Sequence, residues 1–367
     1  MASEIDTMFV TSDKDLVSVF EETGNIGLDM ALTNGKGVEI GSYVILTAGN
    51  GAGKSTTCLD LVKRILFRWK KNGLRDNKVI YIDMEGSKSL AENIGLGEYL
   101  NDGTLLYKPG PCTMAQLYDI CDNIIDGKKK VDGTKYIFID SITNLLCEKE
   151  VNADSDKGDY GNAVASRNKW YKKYLAKLES MGITIFGISQ QRKKQSVMNA
   201  FEDPNKAAVA DGDLHYADVI IKLSKTSGGN DPETKKKEVF NATTGKTDKI
   251  SYQFKVTYTT YGDKNRYGHF PPVTTLMTYG KGCNNWYIIK TLLESYNYLS
   301  NAGSASSPKF NFLPELTTFV GVEAGENLSK KEMRLYISQY LPEIKEFLRS
   351  KDQYCINKEQ GIIEDDD

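Results

Sequence analysis

The sequence predicts an α/β fold built on a mostly parallel central sheet. Between residues 41 and 223, short apolar runs alternate with helical stretches. The runs are rich in β-branched and aromatic residues and nearly continuous, as in strands that are covered on both faces. Because this alternation implies right-handed crossovers, we expect mostly parallel pairing. The expected strands are Tyr43–Thr47, Val79–Ile82, Tyr136–Ile139, Ile183–Ile188 and Val219–Leu223, and the helices include Ser55–Lys70, Met114–Ile125 and Ala163–Ser180.

Composition excludes several classes of protein. The 367 residues are 40% hydrophobic and 26% charged, which is ordinary for a globular protein. A net charge of −2 excludes a histone-like polycation but not a local basic patch. The six cysteines include no Cys-x-x-Cys pair and there are two histidines, so we expect buried neutral thiols rather than a zinc site or disulfides. No apolar run reaches the ~20 residues of a membrane span, so we expect a cytoplasmic protein with no membrane partner.

Outside the alternating strands and helices, the chain changes character several times. Residues 224–250 are polar and contain glycine, which predicts a loop or hairpin, and residues 251–294 return to strand character. Lys330–Arg349 has helical apolar spacing that Pro342 is expected to split into two helices. The expected parts are a short N-terminal segment (1–40), a core (41–294), a small C-terminal helical region (295–360) and an acidic tail (361–367).

A glycine-rich turn between the first apolar run and the first helix carries the strongest chemical signal. Residues 48–56 (AGNGAGKST) have the Walker A pattern, with Ala48 in place of the first glycine. The glycines let backbone N–H groups converge on phosphate, and the following helix points its positive end at the same place. We expect Lys54 to reach the β- and γ-phosphates of ATP and Ser55 to ligate Mg²⁺. The expected nucleotide-binding residues are Gly49, Asn50, Gly51, Ala52, Gly53, Lys54, Ser55, Thr56 and Asp140.

Three other runs end in polar side chains that suit phosphate chemistry. Asp140 ends one run in the Walker B form, where an acid holds Mg²⁺ beside the Walker A loop. Glu85 follows a second run, and a carboxylate there orients the water that attacks the γ-phosphate; the alternative is a plain exposed acid. Gln190 follows a third run, where a polar group can sense the γ-phosphate.

Together these residues resemble the RecA family of homologous recombinases over roughly residues 23–294. Residues 23–32 (TGNIGLDMAL) are similar to the family's segment before Walker A. Ile82–Glu85 resembles its IDAE strand end, whose glutamate is the catalytic carboxylate, and Ile139–Ser141 resembles its VDS Walker B. Ile188–Arg192 is similar to its INQIR stretch, whose glutamine is the nucleotide-responsive switch. The resemblance implies a RecA-like P-loop NTPase core with Glu85 and Gln190 in those roles.

The resemblance extends to regions outside the nucleotide site. Lys264-Asn265-Arg266 is similar to a KNK motif that reaches the ATP of the neighbouring subunit, so Lys264 and Arg266 are expected to act in trans. Residues 151–162 and 193–211 fall where the family has its first and second DNA-binding loops. The implied catalytic residues are Glu85, Lys54, Gln190, Lys264 and Arg266, and the implied DNA-binding residues are Arg192, Lys193, Lys194, Met198, Asn199, Phe201 and Lys206.

Some stretches depart from the family's pattern. The segment before the core is short, although Thr7–Val10 remains a candidate polymerisation strand. The first loop is polar rather than basic, and residues 224–250 are longer than the family's usual hairpin. This divergence resembles phage-encoded members of the UvsX type, which would act in the cytoplasm of a bacterial host.

The resemblance implies a DNA-dependent ATPase that forms a helical filament on single-stranded DNA. It would pair that strand with homologous duplex DNA and exchange strands, using ATP and Mg²⁺ held between adjacent subunits. Expected partners are single- and double-stranded DNA, further copies of the chain, and single-strand-binding and mediator proteins. Two alternatives stay open: a hexameric DNA helicase on the same fold, which residues 264–266 disfavour, and a non-hydrolysing mediator, which Glu85 disfavours.

Overall fold

The computed structural model describes most of the chain from residue 18 onward. Side chains are described throughout this part except at residues 160–163, 211–213, 236–241 and 246–251. The described residues are 18–86, 92, 94–147, 160–190, 211–226, 236–241, 246–251, 253–304, 307–321 and 325–351.

Strands and helices alternate along the first two thirds of the described chain. In chain order the strands are β1 (Phe20–Glu21), β2 (Val38–Glu39), β3 (Tyr43–Ala48), β4 (Lys78–Asp83), β5 (Leu105–Pro109), β6 (Thr134–Asp140), β7 (Thr184–Gln190), β8 (Val219–Thr226), β9 (Lys236–Asn241), β10 (Lys246–Ser251), β11 (Gln253–Asn265), β12 (Val273–Thr278), β13 (Gly282–Cys283), β14 (Leu299–Asn301) and β15 (Phe310–Phe312). The helices are α1 (Ile26–Thr33), α2 (Lys54–Lys71), α3 (Gly97–Asn101), α4 (Met114–Ile125), α5 (Tyr160–Ser180), α6 (Asp211–Tyr216), α7 (Asn285–Ser295), α8 (Pro314–Val320), α9 (Lys330–Gln339) and α10 (341–351).

A nine-stranded mixed sheet forms the centre, in the order β13-β12-β11-β8-β3-β7-β6-β4-β5. The six strands from β8 to β5 are parallel, and β11, β12 and β13 extend the sheet in antiparallel pairing. The α/β fold with a mostly parallel central sheet is therefore confirmed. Among the parallel strands, β5 was not predicted, because it lies at the sheet edge and is too unevenly buried to show a continuous apolar run.

Each face of the sheet has its own hydrophobic core. Val44 and Leu46 of β3 pack on the face that is covered by α1 and α2, whereas Tyr43 and Ile45 pack on the face that is covered by α4 and α5. Because successive strand residues point to opposite faces, a strand with two covered faces needs apolar residues at every position. This explains the nearly continuous apolar runs of the sequence.

Three sequence predictions concern the part of the chain after the parallel strands, and the structure contradicts one of them and confirms two. Residues 285–295 form the helix α7 where strand character was expected, since Ile289 and Leu293 recur at helical spacing on a buried face. Residues 236–251 include the antiparallel hairpin β9–β10, as expected. Pro342 separates α9 from α10 and occupies the first turn of α10, where proline is tolerated.

The C-terminal helices pack onto the main core. Ile337 of α9 and Phe347 of α10 belong to the same buried cluster as α1 and α2. Lys345 and Arg349 of α10 form ion pairs with Glu22, which follows β1. The two ends of the described chain are therefore fixed to each other and to the core. Among the described residues, no helix is long and apolar enough to cross a membrane.

Candidate nucleotide-binding site

The loop between β3 and α2 has the conformation that a phosphate-binding loop requires. Gly53 caps α2 with a left-handed φ of 89°, and Gly51 has a φ of 69°. A Cβ atom on Gly53 would lie 2.4 Å from the Met277 Sδ atom. Because the first N–H groups of α2 have no partner within the helix, they point at the loop and favour an anion there.

Lys54 directs its charge into this loop. Its Nζ atom donates hydrogen bonds to the carbonyl oxygens of Ala48, at 3.1 Å, and Gly49, at 3.0 Å. Burial lowers the pKa of Lys54, while the nearby Asp140 and Glu85 carboxylates act in the opposite direction. The ammonium group is thus held inside the loop, against the loop's own carbonyl oxygens.

Asp140 and Ser55 present oxygen atoms of the kind that Mg²⁺ prefers. Asp140 is buried, and hydrogen bonds link its carboxylate to the hydroxyls of Ser55 and Tyr81, the latter at 3.0 Å. Burial raises the pKa of Asp140 to about 6, although those two hydrogen bonds lower it. Mg²⁺ is commonly bound by one or two protein oxygens plus phosphate and water. This donor pair therefore fits the ion.

Glu85 and Gln190 meet across the carboxyl ends of the parallel strands. The Gln190 Nε2 atom, at the end of β7, donates a 2.8 Å hydrogen bond to Glu85 Oε1, just after β4. Strand β6 and Asp140 lie between them in the sheet. A cavity of about 490 Å³ joins these residues to the loop, lined by Asn50, Gly51, Gly53, Lys54, Ser55, Thr56, Glu85, Asp140, Gln190 and Tyr279.

A family model of the RecA N-terminal domain matches residues 6–260, well over half of the chain. The protein belongs to the RecA family. RecA-family proteins are generally P-loop ATPases that use ATP with Mg²⁺, and membership implies DNA binding and self-association into filaments. A search of curated proteins found no match. The match ends before Lys264 and Arg266.

Two of the predicted loop residues do not line the cavity. Gly49 contributes its carbonyl oxygen to Lys54, and the side chain of Ala52 packs into the hydrophobic core. These two residues support the RecA-family loop on the side away from the cavity, whereas the other predicted loop residues line the cavity.

Lys264 and Arg266 lie away from the cavity of their own chain. Asn265 pairs with Val219 at the amino end of β8, and Val219 pairs with Val44 of β3. The Walker A loop leaves the opposite end of β3, after a further ~13 Å of strand. Arg266 instead forms ion pairs with Glu39 and Asp218 of its own chain, and Lys264 donates to two backbone carbonyls.

Three tyrosines at the site were not predicted from the sequence. Tyr81 donates to Asp140, Tyr107 donates to Asp83, and Tyr279 lines the cavity beside the loop. For Tyr81 the available signal was a hydroxyl within the apolar part of its strand, whereas Tyr107 lies in a strand that also contains Lys108 and Pro109 and gave no such signal. Tyr279 gave no local signal, because it reaches the loop through β12, far along the chain. The predicted DNA-binding residues between 192 and 206 and the loop 151–162 lie outside the described residues, or outside those with described side chains.

Gly53→Ala should damage the site more than an equivalent change elsewhere. It places a Cβ atom at a left-handed φ and against Met277, so we expect a loss of about 1–2 kcal/mol in unfolding free energy and at least about tenfold weaker binding of an ATP analogue. Gly73→Ala is the matched control, since Gly73 has a φ of 73° and open space around it. Chemical denaturation and analogue titration measure both effects. Equal nucleotide affinity in the two variants would contradict the prediction.

Proposed function

We propose that the protein is an ATP-dependent DNA recombinase. It forms a helical filament on single-stranded DNA and catalyses homologous pairing and strand exchange. The observation that carries this proposal is the hydrogen bond between Gln190 and Glu85. It joins the carboxylate that orients water to the residue that leads directly into residues 193–211, where the family has its second DNA-binding loop.

The geometry supports a hydrolytic role for four side chains. Lys54 holds the phosphates, Ser55 would ligate Mg²⁺, and Asp140 supports the metal position through its contact with Ser55. Mg²⁺, when bound, neutralises charge on the β- and γ-phosphate oxygens. Glu85 orients the attacking water and accepts its proton.

Gln190 couples the nucleotide to DNA in this proposal. Its amide donates to Glu85, and a γ-phosphate oxygen in the same cavity would compete for that N–H group. When Gln190 turns to the phosphate, it frees Glu85 Oε1 to orient water and moves the end of β7. Because the chain continues from there into residues 191–206, nucleotide state and DNA contact change together.

We propose that Lys264 and Arg266 complete the site of a neighbouring subunit. They lie at the opposite end of the strands from the Walker A loop of their own chain, so the nucleotide that they reach is that of a head-to-tail neighbour. Asp218 holds the Arg266 guanidinium at 2.7 Å and Glu39 holds it from a second side. This pair keeps the cation oriented before a neighbour docks.

The segments proposed for self-association and DNA contact lie mostly outside the described residues. We propose that residues 1–40 include a polymerisation segment and that Thr7–Val10 pairs with a neighbouring sheet. Among the described residues, β5 is an outer strand that pairs with a strand on one side only. Residues Arg192, Lys193 and Lys194 would neutralise DNA phosphates, with salt-sensitive binding. Met198 and Phe201 would contact bases, together with Asn199 and Lys206.

We also propose that the chain is of the phage-encoded UvsX type and acts in the cytoplasm of a bacterial host. The support is the divergence of the polar loop 151–162 and the hairpin β9–β10 from the family's usual pattern. The C-terminal region (295–360) and the acidic tail (361–367) are proposed as small additions to the core (41–294), and single-strand-binding and mediator proteins as accessory partners.

An ATPase assay combined with electron microscopy tests the function. We expect hydrolysis that single-stranded DNA stimulates, helical filaments with ATP, and exchange of a strand from homologous duplex DNA. Closed rings on single-stranded DNA, with unwinding activity, would favour the helicase instead. Filaments without DNA-stimulated hydrolysis would favour a mediator.

Tyr279→Ala should raise the KM for ATP without changing kcat. The ring is 45% exposed, lines the cavity and is held by Phe254 at 4.5 Å and by a 2.9 Å hydrogen bond from Lys225. An aromatic face so placed can stack on a nucleobase, and losing such stacking should raise KM about tenfold. Phe67→Ala, which removes an exposed ring from the surface of α2, is the control. An unchanged KM would show that Tyr279 does not contact the nucleotide.

A further inference from the structure

A chain of hydrogen bonds runs from the edge of the sheet to Glu85. It begins at Tyr107 on β5, whose ring stacks on Tyr81 of β4 with centroids 5.7 Å apart and an angle of 13° between the planes. The Tyr107 hydroxyl donates to Asp83 Oδ2. Burial and the Asp83 carboxylate raise the pKa of Tyr107 above its ordinary value, so the hydroxyl keeps its proton and remains a donor.

Asp83 uses its other oxygen to close the turn that carries Glu85. The side chain is 1% exposed, and Oδ1 accepts the backbone N–H groups of Glu85 at 3.1 Å and Gly86 at 2.8 Å. The same turn is fixed to both neighbouring strands, because Gly110 N–H donates to the Asp83 carbonyl and Met84 N–H donates to the Asp140 carbonyl, both at 2.7 Å. The backbone of Glu85 therefore has a defined direction, although its side chain is exposed.

We propose that Tyr107 and Asp83 are positioning residues for Glu85. Tyr107 orients the Asp83 carboxylate, Asp83 fixes the turn from residue 83 to 86, and the turn holds the Glu85 side chain where it meets Gln190. Neither residue touches the substrate; both act through the backbone of Glu85. The proposal rests on the proposed ATPase function for its catalytic consequence, but its structural part stands on the hydrogen bonds alone.

Tyr107→Phe tests the proposal with little disturbance, because the ring and its stacking on Tyr81 remain. In the full-length protein we expect amide hydrogen exchange at Glu85 and Gly86 to accelerate about tenfold, while the amides of Ile80 and Ile82 within β4 stay protected. With ATP and single-stranded DNA, kcat should fall about five- to tenfold, with KM for ATP and analogue affinity unchanged.

Two further variants make the test decisive. Asp83→Asn should reproduce both effects more strongly, and the double variant should be no slower than Asp83→Asn alone, because the two groups act in one chain. Tyr118→Phe removes a hydroxyl from α4, which packs on the opposite face of the sheet from Tyr107, and should change neither measurement. If Asp83→Asn does not fold, Tyr107→Phe still carries the test.

Two results would overturn the proposal: unchanged exchange at Glu85 and Gly86 in Tyr107→Phe, or faster exchange there with an unchanged kcat. The exchange measurement needs no turnover. A wild-type chain that fails to hydrolyse ATP would therefore contradict the proposed function, while exchange at Glu85 would still decide whether Tyr107 and Asp83 hold the turn.

Discussion

Glu85→Gln should lower DNA-stimulated ATP hydrolysis by about 10³-fold while nucleotide binding is kept. The substituted amide retains an oxygen that can accept the Gln190 N–H group, so the contact between the two strand ends persists. What disappears is the negative charge that the proposed mechanism uses to orient water and accept its proton. Because binding depends on Lys54, Ser55 and the loop, filaments with ATP should still form and should dissociate more slowly. Single-turnover hydrolysis and filament lifetime by microscopy measure the two effects.

A matched carboxylate elsewhere controls for charge alone. Glu98 on α3 is exposed and pairs with Lys70 at 2.5 Å, so Glu98→Gln removes one negative charge far from the cavity. We expect it to hydrolyse ATP at the wild-type rate. If Glu85→Gln instead kept a rate within about tenfold of the wild type, Glu85 would not be the general base.

Lys54→Ala should abolish ATP-dependent strand exchange and reduce hydrolysis by at least about 10²–10³-fold. The variant removes the cation that the loop holds against its own carbonyl oxygens at 3.0 and 3.1 Å and that would compensate the charge of a bound phosphate. In contrast to Glu85→Gln, it should also weaken ATP binding. Analogue titration and strand exchange with homologous duplex separate these two variants.

Lys71→Ala is the control for this change, since Lys71 lies exposed at the other end of the same helix. Its exchange activity should equal that of the wild type. Full strand exchange by Lys54→Ala would contradict the assignment of residues 48–56 as the phosphate-binding loop.

The parallel part of the sheet could be predicted because each strand must bury both faces. Val44 and Ile45 show this most simply, since they pack into different cores and both must be apolar. Strand β5 lies at the edge of the sheet, where most of its residues are only partly buried. Its positions therefore do not all need apolar residues, and its sequence shows no clear strand pattern. The helix α7 was missed because its apolar residues follow a stretch of real strands, and a short apolar run alone does not separate helix from strand.

In the candidate site, too, residues within one local segment could be predicted, whereas contacts between distant segments could not. The Walker A loop is a local structure, so Gly53 and Lys54 were readable from adjacent residues. The roles of Glu85 and Gln190 came from the resemblance to the RecA family, whereas their contact depends on the order of the strands in the sheet, which no sequence pattern gave. Tyr107 depends on its pairing with Tyr81 in β4, and no local pattern encodes that register.

We propose that ATP is hydrolysed between adjacent subunits of a filament, with Arg266 supplied by the neighbour. Mixing two inactive variants tests it most directly. Arg266→Ala keeps an intact Walker A loop, and Lys54→Ala keeps an intact Arg266. In a 1:1 mixture with single-stranded DNA, about one interface in four should join the two intact halves, and hydrolysis should recover to about a quarter of the wild-type rate. No recovery at any ratio, or full hydrolysis by Arg266→Ala alone, would contradict the account.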